Sequence, residues 1–98
     1  MEIKKSLDEK KLIISLLGRL DTTTAPLLEA ELKTSLNDVE ELVFDLKELE
    51  YISSAGLRVL LAAQKVMNKQ GSMKIINVIA EIMEVFEITG FTDILTIE

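Results

Sequence analysis

The apolar residues of this chain switch repeatedly between two spacings, and that alternation most limits what it can fold into. Ile3 to Leu7 and Leu12 to Leu17 read as two strands, joined by the polar turn Asp8-Glu9-Lys10-Lys11, which has hairpin length. Gly18 and Asp21 end that region. Thr22-Thr23-Thr24 before Ala25-Pro26 predicts a helix start, with a Thr as N-cap and Pro in the first turn. Leu28, Leu32 and Leu36 then recur every fourth residue, carrying the helix to about Leu36. Leu42-Val43-Phe44, bounded by charges, predicts a short buried strand. The stretch from Asp45 to Ile52 receives no element and leads into Ser53-Ser54-Ala55-Gly56. Ala55 to about Lys69 is helical in pattern, and Gly71 suits a stop. Met73 to Val78 predicts a strand, and Ala80 to Thr89 an amphipathic helix closed by Gly90. Ile94 to Ile97 predicts a last short strand. Strands alternating with helices demand right-handed crossovers. The expected fold is therefore α/β: one domain over residues 1–98, with a small, mixed, mostly parallel sheet and about three covering helices.

Composition closes several chemistries. The chain has no Cys and no His, which removes disulfides, thiolate nucleophiles, imidazole acid–base catalysis and the usual zinc sites. Lys+Arg 11 against Asp+Glu 17 gives a net charge of -6, and aromatics are 4%. Such a surface repels phosphate backbones and offers little for bases to stack on, so no nucleic-acid partner is expected. An acidic surface suits a soluble protein that meets other proteins. The start Met1-Glu2-Ile3-Lys4-Lys5 is charged at once, unlike a secretory signal, and the apolar runs fall far short of the ~20 residues of a membrane span. A cytoplasmic location without membrane insertion is the expectation. The glycines Gly18, Gly56, Gly71 and Gly90 are too far apart for a phosphate-cradling loop, so no cofactor is expected. Glu29 and Glu31, and Glu81, Glu84 and Glu87, read as solvated helix faces. No metal site and no enzymatic activity are expected.

The unusual feature is Ser53-Ser54 at a strand-to-helix junction. One reading is N-capping, since a serine oxygen accepts a bond from a free N–H of the first turn. A second, compatible reading is a phosphoacceptor, because a helix N-terminus tolerates a dianion. A nucleophilic serine is disfavoured: no base of the usual kind exists and GxSxG is absent. On a helical wheel, Val59, Leu60, Ala63, Val66 and Met67 form an arc expected to face the sheet. Arg58, Lys65 and Lys69 form a basic stripe opposite it, with Leu57, Leu61, Gln64 and Asn68 on a strip between. Leu57 and Leu61 are either exposed contacts beside Ser54 or buried under a neighbouring loop.

At these residues the sequence resembles the STAS domain family, specifically bacterial anti-sigma factor antagonists. The resemblance runs through Gly18-Arg19-Leu20-Asp21 with Thr24-Ala25-Pro26, Leu42-Val43-Phe44-Asp45-Leu46, Tyr51 to Leu61, and Phe86-Glu87-Ile88-Thr89-Gly90-Phe91. The family's usual motif reads Asp-Ser-Ser/Thr-Gly-Leu. Alignment on Gly56-Leu57 places the implied phosphoacceptor at Ser54. The chain departs twice, with Ser53 where Asp is usual and Ala55 where Ser or Thr is usual; Ser53 is thus an alternative acceptor. The resemblance implies a partner switch, in which the unphosphorylated protein binds an anti-sigma factor that is also a serine kinase and frees the sigma factor. Phosphorylation at Ser54 would end binding, and a metal-dependent serine phosphatase would reset it. Implied contact residues are Asp21, Thr22, Asp45, Ser53, Ala55, Gly56, Leu57, Arg58 and Leu61, with Asp21 and Asp45 close to the acceptor loop. A monomer or weak dimer is expected. The alternative implied role is a regulatory subunit without a phosphorylation cycle, as on the cytoplasmic ATPase of lipid transporters.

Overall fold

A computed structural model describes all of residues 1–98. Two strands open it, β1 (Glu2–Asp8) and β2 (Lys11–Leu20), followed by α1 (Ala25–Ser35), β3 (Glu41–Asp45) and β4 (Leu49–Ile52). Then come α2 (Ser54–Gln70), β5 (Ser72–Ile76), α3 (Ala80–Thr89) and a 3-10 turn at Phe91–Asp93. The sheet runs β1-β2-β3-β5, with β4 attached to β2. β1 pairs with β2 antiparallel, and every other pairing is parallel. The architecture is the expected mixed α/β sheet with three helices.

Alternation along the central strands decides which face the helices cover. Leu12, Ile14 and Leu16 of β2, Leu42 and Phe44 of β3, and Met73 and Ile75 of β5 point into one core with Leu28 and Leu32 of α1 and Leu60, Ala63 and Met67 of α2. Ile82 and Phe86 of α3 and Leu95 close it. Val43 points away from this cluster and is buried on the opposite face, so the Leu42-Val43-Phe44 run is buried on both sides, as a central parallel strand requires.

Several details depart from the sequence reading. β2 does not end at Gly18. A bulge at Gly18/Arg19 re-aims it, and it continues to Leu20 alongside β4. Gly18 permits this with φ 98 while its N–H donates to the Glu48 carbonyl at 3.0 Å. β4 has no counterpart among the expected elements: Glu50 and Tyr51 are exposed between buried Leu49 and Ile52, and the strand is too short for alternation to stand out. β5 stops at Ile76, where Asn77 turns to φ 59. The expected Ile94–Ile97 strand is reduced to one bridge, Ile97 to Ile75, after the 3-10 turn. Thr24 holds the cap position of α1 without capping it. Its hydroxyl instead accepts from the Asp21 N–H and donates to the Arg19 carbonyl, each at 2.8 Å. On α2, Val66 is not a core residue: it is 42% exposed. Leu57 is buried and Leu61 half-buried, which settles that pair for packing rather than for free exposure. The buried arc of α2 is turned from the expected one: it includes Leu57 and Gln64 beside Leu60, Ala63 and Met67, and leaves Val66 at the groove next to α1.

Candidate functional site

The first turn of α2 sits at the C-terminal ends of β2 and β4. Ile52 ends β4, and the next residue, Ser53, donates its N–H to the Leu20 carbonyl at 2.9 Å, tying the junction to β2. Ser53 is extended and is the N-cap of α2; its Oγ accepts from the Gly56 N–H at 3.4 Å and its carbonyl from the Leu57 N–H at 3.0 Å. Its hydroxyl is therefore partly committed and the residue half-buried. Ser54 is the first helical residue, is exposed, and forms no side-chain hydrogen bond. Gly56 lets this turn lie directly on the core. A Cβ there would stand 2.7 Å from Leu20 Cγ and 2.9 Å from Ile52 Cγ1.

A second loop flanks the first. Asp21 Oδ1 accepts from the Thr23 hydroxyl at 2.7 Å, the Thr23 N–H at 3.0 Å and the Thr24 N–H at 3.2 Å, and the Thr24 hydroxyl, which shares its proton with the Arg19 carbonyl, lies 3.2 Å from it. The Thr23 hydroxyl above all draws the Asp21 pKa from 3.8 down to about 2; burial, the next largest influence, opposes it, and the Thr23 and Thr24 N–H groups and then the Thr24 hydroxyl add to the lowering. Asp21 Oδ2 lies 3.7 Å from Arg19 Nε, and the Arg19 guanidinium stacks over the Tyr51 ring at 4.1 Å. Arg19 and Tyr51 are register partners on β2 and β4, so the bulge and the unexpected strand together build this pair.

Thr22, Ala55 and Arg58 line one shallow hollow with Ala25, Pro26, Glu29 and Val59, of about 220 Å³. Glu29 and Val59 also belong to a longer groove between α1 and α2, of about 300 Å³, whose apolar lining includes Leu32, Leu36, Ala63 and the exposed Val66. The structure thus gathers Asp21, Thr22, Ser53, Ser54, Ala55, Gly56 and Arg58 at one end of the molecule. Leu57 lies beneath them as packing, and Leu61 is half-buried one turn further on. Asp45 is not brought in by any hydrogen bond. Its carboxylate accepts from the Lys47 N–H at 3.0 Å and the Asn77 amide at 3.1 Å. It lines a separate hollow with Lys4, Ser15 and Lys47 on the face away from the core. Arg19 and Tyr51 are the residues that site reasoning passes over; only recognition of β4 places them side by side.

No cluster of three His, Cys, Asp or Glu is placed to hold a metal ion, and no helix is long and apolar enough to cross a membrane. Ser54 has no adjacent base, and the one strongly perturbed carboxylate is enclosed by donors. The Ser54 hydroxyl is thus exposed at the start of α2 with no side chain bonded to it.

These features define a small α/β domain with a presented helix N-terminus flanked by a structured acidic loop. The chain belongs to the STAS domain family, whose model matches residues 1–98. It is 44% identical over 85 residues to the putative anti-sigma factor antagonist BtrV of Bordetella bronchiseptica, covering 85% of this chain and 73% of that protein. It is 32% identical over 91 residues to the anti-sigma-B factor antagonist of Bacillus subtilis, covering 92% and 84%. Its fold matches the crystal structure of an anti-sigma factor antagonist from Mycobacterium paratuberculosis with a TM-score of 0.89 at 23% identity, covering 98% of this chain and 83% of that one.

Proposed function

We propose that this protein is an anti-sigma factor antagonist working by partner switching, with Ser54 as its phosphoacceptor. The observation that carries the reading is the exposed Ser54 hydroxyl, free of hydrogen bonds, at the first position of α2 beside the Asp21 loop. The names of the relatives support the role. In the unphosphorylated form the surface around Ser54, Thr22, Ala55 and Arg58 docks an anti-sigma factor that is also a serine kinase, and the sigma factor is released. The kinase then brings ATP: Ser54 Oγ attacks the γ-phosphorus, the bond to ADP breaks, and the hydroxyl proton passes to a base of the kinase. A serine phosphatase hydrolyses the ester and returns the protein to its binding form.

The switch needs no change of shape. Phosphate adds about -1.5 to -2 charge at pH 7 to a contact patch. Within the free domain the helix end offsets roughly 0.3–1 kcal/mol of its repulsion. Held against a partner it must shed water at a surface that docks the neutral hydroxyl, which costs several kcal/mol. Ser54 is favoured over Ser53 because Ser53 is half-buried and its Oγ accepts from the Gly56 N–H.

The test is binding of the cognate anti-sigma factor to wild type, Ser54→Ala and Ser54→Asp, with phosphopeptide mapping of protein from its native cells. Ser54→Ala should bind within a few-fold of wild type, and Ser54→Asp roughly 100-fold more weakly or worse. Equal binding by Ser54→Asp, or capture of a transporter ATPase in place of the kinase, would overturn the reading.

A further inference from the structure

Resting on the reading of Ser54 as phosphoacceptor, we propose that Arg58 is a positioning residue that receives the phosphate on Ser54, so that modification both adds a dianion and withdraws a cation from the docking face. Ser54 and Arg58 stand four residues apart on α2, and both are exposed. Residues at this spacing have Cβ atoms about 5–6 Å apart, and an acidic group N-terminal to a basic one is the favourable order. Helical side chains lean toward the N-terminus, which puts the turn that holds Ser54 within reach of the Arg58 guanidinium. A guanidinium fork matches phosphate oxygens with two parallel bonds, which a lysine ammonium cannot do.

Arg58 is also uncommitted. The chain's ion pairs involve Lys4, Lys5, Lys10, Lys11, Arg19 and Lys74, and Arg58 belongs to none of them. Arg19 is already held by Asp21 and Tyr51. The charged groups flanking the position are Asp21 at the end of β2, whose Oδ1 is enclosed by donors, and Glu29 of α1, which shares the hollow with Arg58 but forms no ion pair with it. The spacing discriminates between the two serines. One turn after Ser53 stands Leu57, which is buried and apolar, so only Ser54 has a cation placed for its phosphate.

The experiment uses full-length protein with phosphoserine incorporated at position 54 during translation, which requires no kinase. The second ionisation of the phosphate, near pH 6 for an unperturbed phosphoserine, is followed by phosphorus NMR in wild type, Arg58→Gln and Arg58→Lys. Arg58→Gln should raise that midpoint by about 0.15–0.4 pH unit, and Arg58→Lys by less. Arg58 is exposed, so thermal unfolding of the unphosphorylated variants should match wild type and exclude a folding defect. Superimposable titrations for wild type and Arg58→Gln would overturn the proposal. Failure of the phosphoprotein to lose affinity for the anti-sigma factor, with the midpoint shift present, would sink the partner switch while leaving the Arg58–phosphate contact standing.

Discussion

Asp21 holds the loop that faces the acceptor, and its ionisation is part of that hold. Its carboxylate accepts from Thr23 and Thr24, and its pKa is drawn down to about 2. A folded-state pKa below the unfolded one contributes stability at all pH values above the unfolded value. That contribution is lost as pH falls through the folded value. Asp21→Asn should therefore lower the melting temperature at neutral pH, with the gap to wild type closing between about pH 4 and pH 2. Thermal unfolding of both proteins across that range checks it; a gap independent of pH would show that the loop depends on shape rather than charge. Gly56 makes a different demand. An alanine methyl would press on Leu20 and Ile52, which are both buried, and overpacking of this kind costs roughly 1–3 kcal/mol against about 1 kcal/mol gained in helix propensity. Gly56→Ala should thus lower unfolding stability in urea by up to about 2 kcal/mol. Stability equal to wild type would mean that α2 can lift off β2 without loss.

At the scale of elements, α2 separates a structural serine from a presented one. Ser53→Ala removes the N-cap bond to the Gly56 N–H; that bond is long at 3.4 Å, so the loss should sit near the low end for caps, about 0.5–1 kcal/mol. Ser54→Ala should change stability by less than about 0.5 kcal/mol, because nothing in the fold uses its hydroxyl. Urea unfolding of the two variants checks this, and the reverse order would exchange the roles of the two residues. The cap is legible in the sequence because Ser before a helical period carries its own signal. The long helices and the paired strands are legible for the same reason. Leu28 and Leu32 in α1, and Leu12, Ile14 and Leu16 in β2, repeat over enough residues to declare a period. β4 is not, since Leu49 and Ile52 are its only buried positions, and its partner segment of β2 lies beyond a bulge. The consequence of missing it is local but functional: the Arg19–Tyr51 stack is a contact between those two segments. Asp45 is a second position whose surroundings only the three-dimensional arrangement shows. Sequence places it at the end of a strand near the site, whereas alternation turns its side chain to the same side as Val43, away from the helices, where Lys47 and Asn77 claim it.

Across the whole molecule, charge is divided unevenly. The chain carries a net charge of -6, yet α2 contains no Asp or Glu and presents Arg58, Lys65 and Lys69, all exposed and all outside the ion pairs. A basic ridge on an acidic body gives the molecule a direction: a partner with an acidic face is drawn toward α2 and repelled elsewhere. If docking occurs there, the double substitution Lys65→Glu and Lys69→Glu should slow association with the anti-sigma factor by about ten-fold at low salt. The effect should shrink as the screening length falls from about 10 Å at 0.1 M to about 3 Å at 1 M salt. Lys4→Glu with Lys10→Glu changes net charge by the same amount at the opening hairpin, where both residues are exposed, and should leave the rate near wild type. Stopped-flow measurements on the two double variants distinguish a local ridge from overall charge. Equal slowing by both would mean that the approach is governed by total charge alone, and that α2 has no privileged part in it.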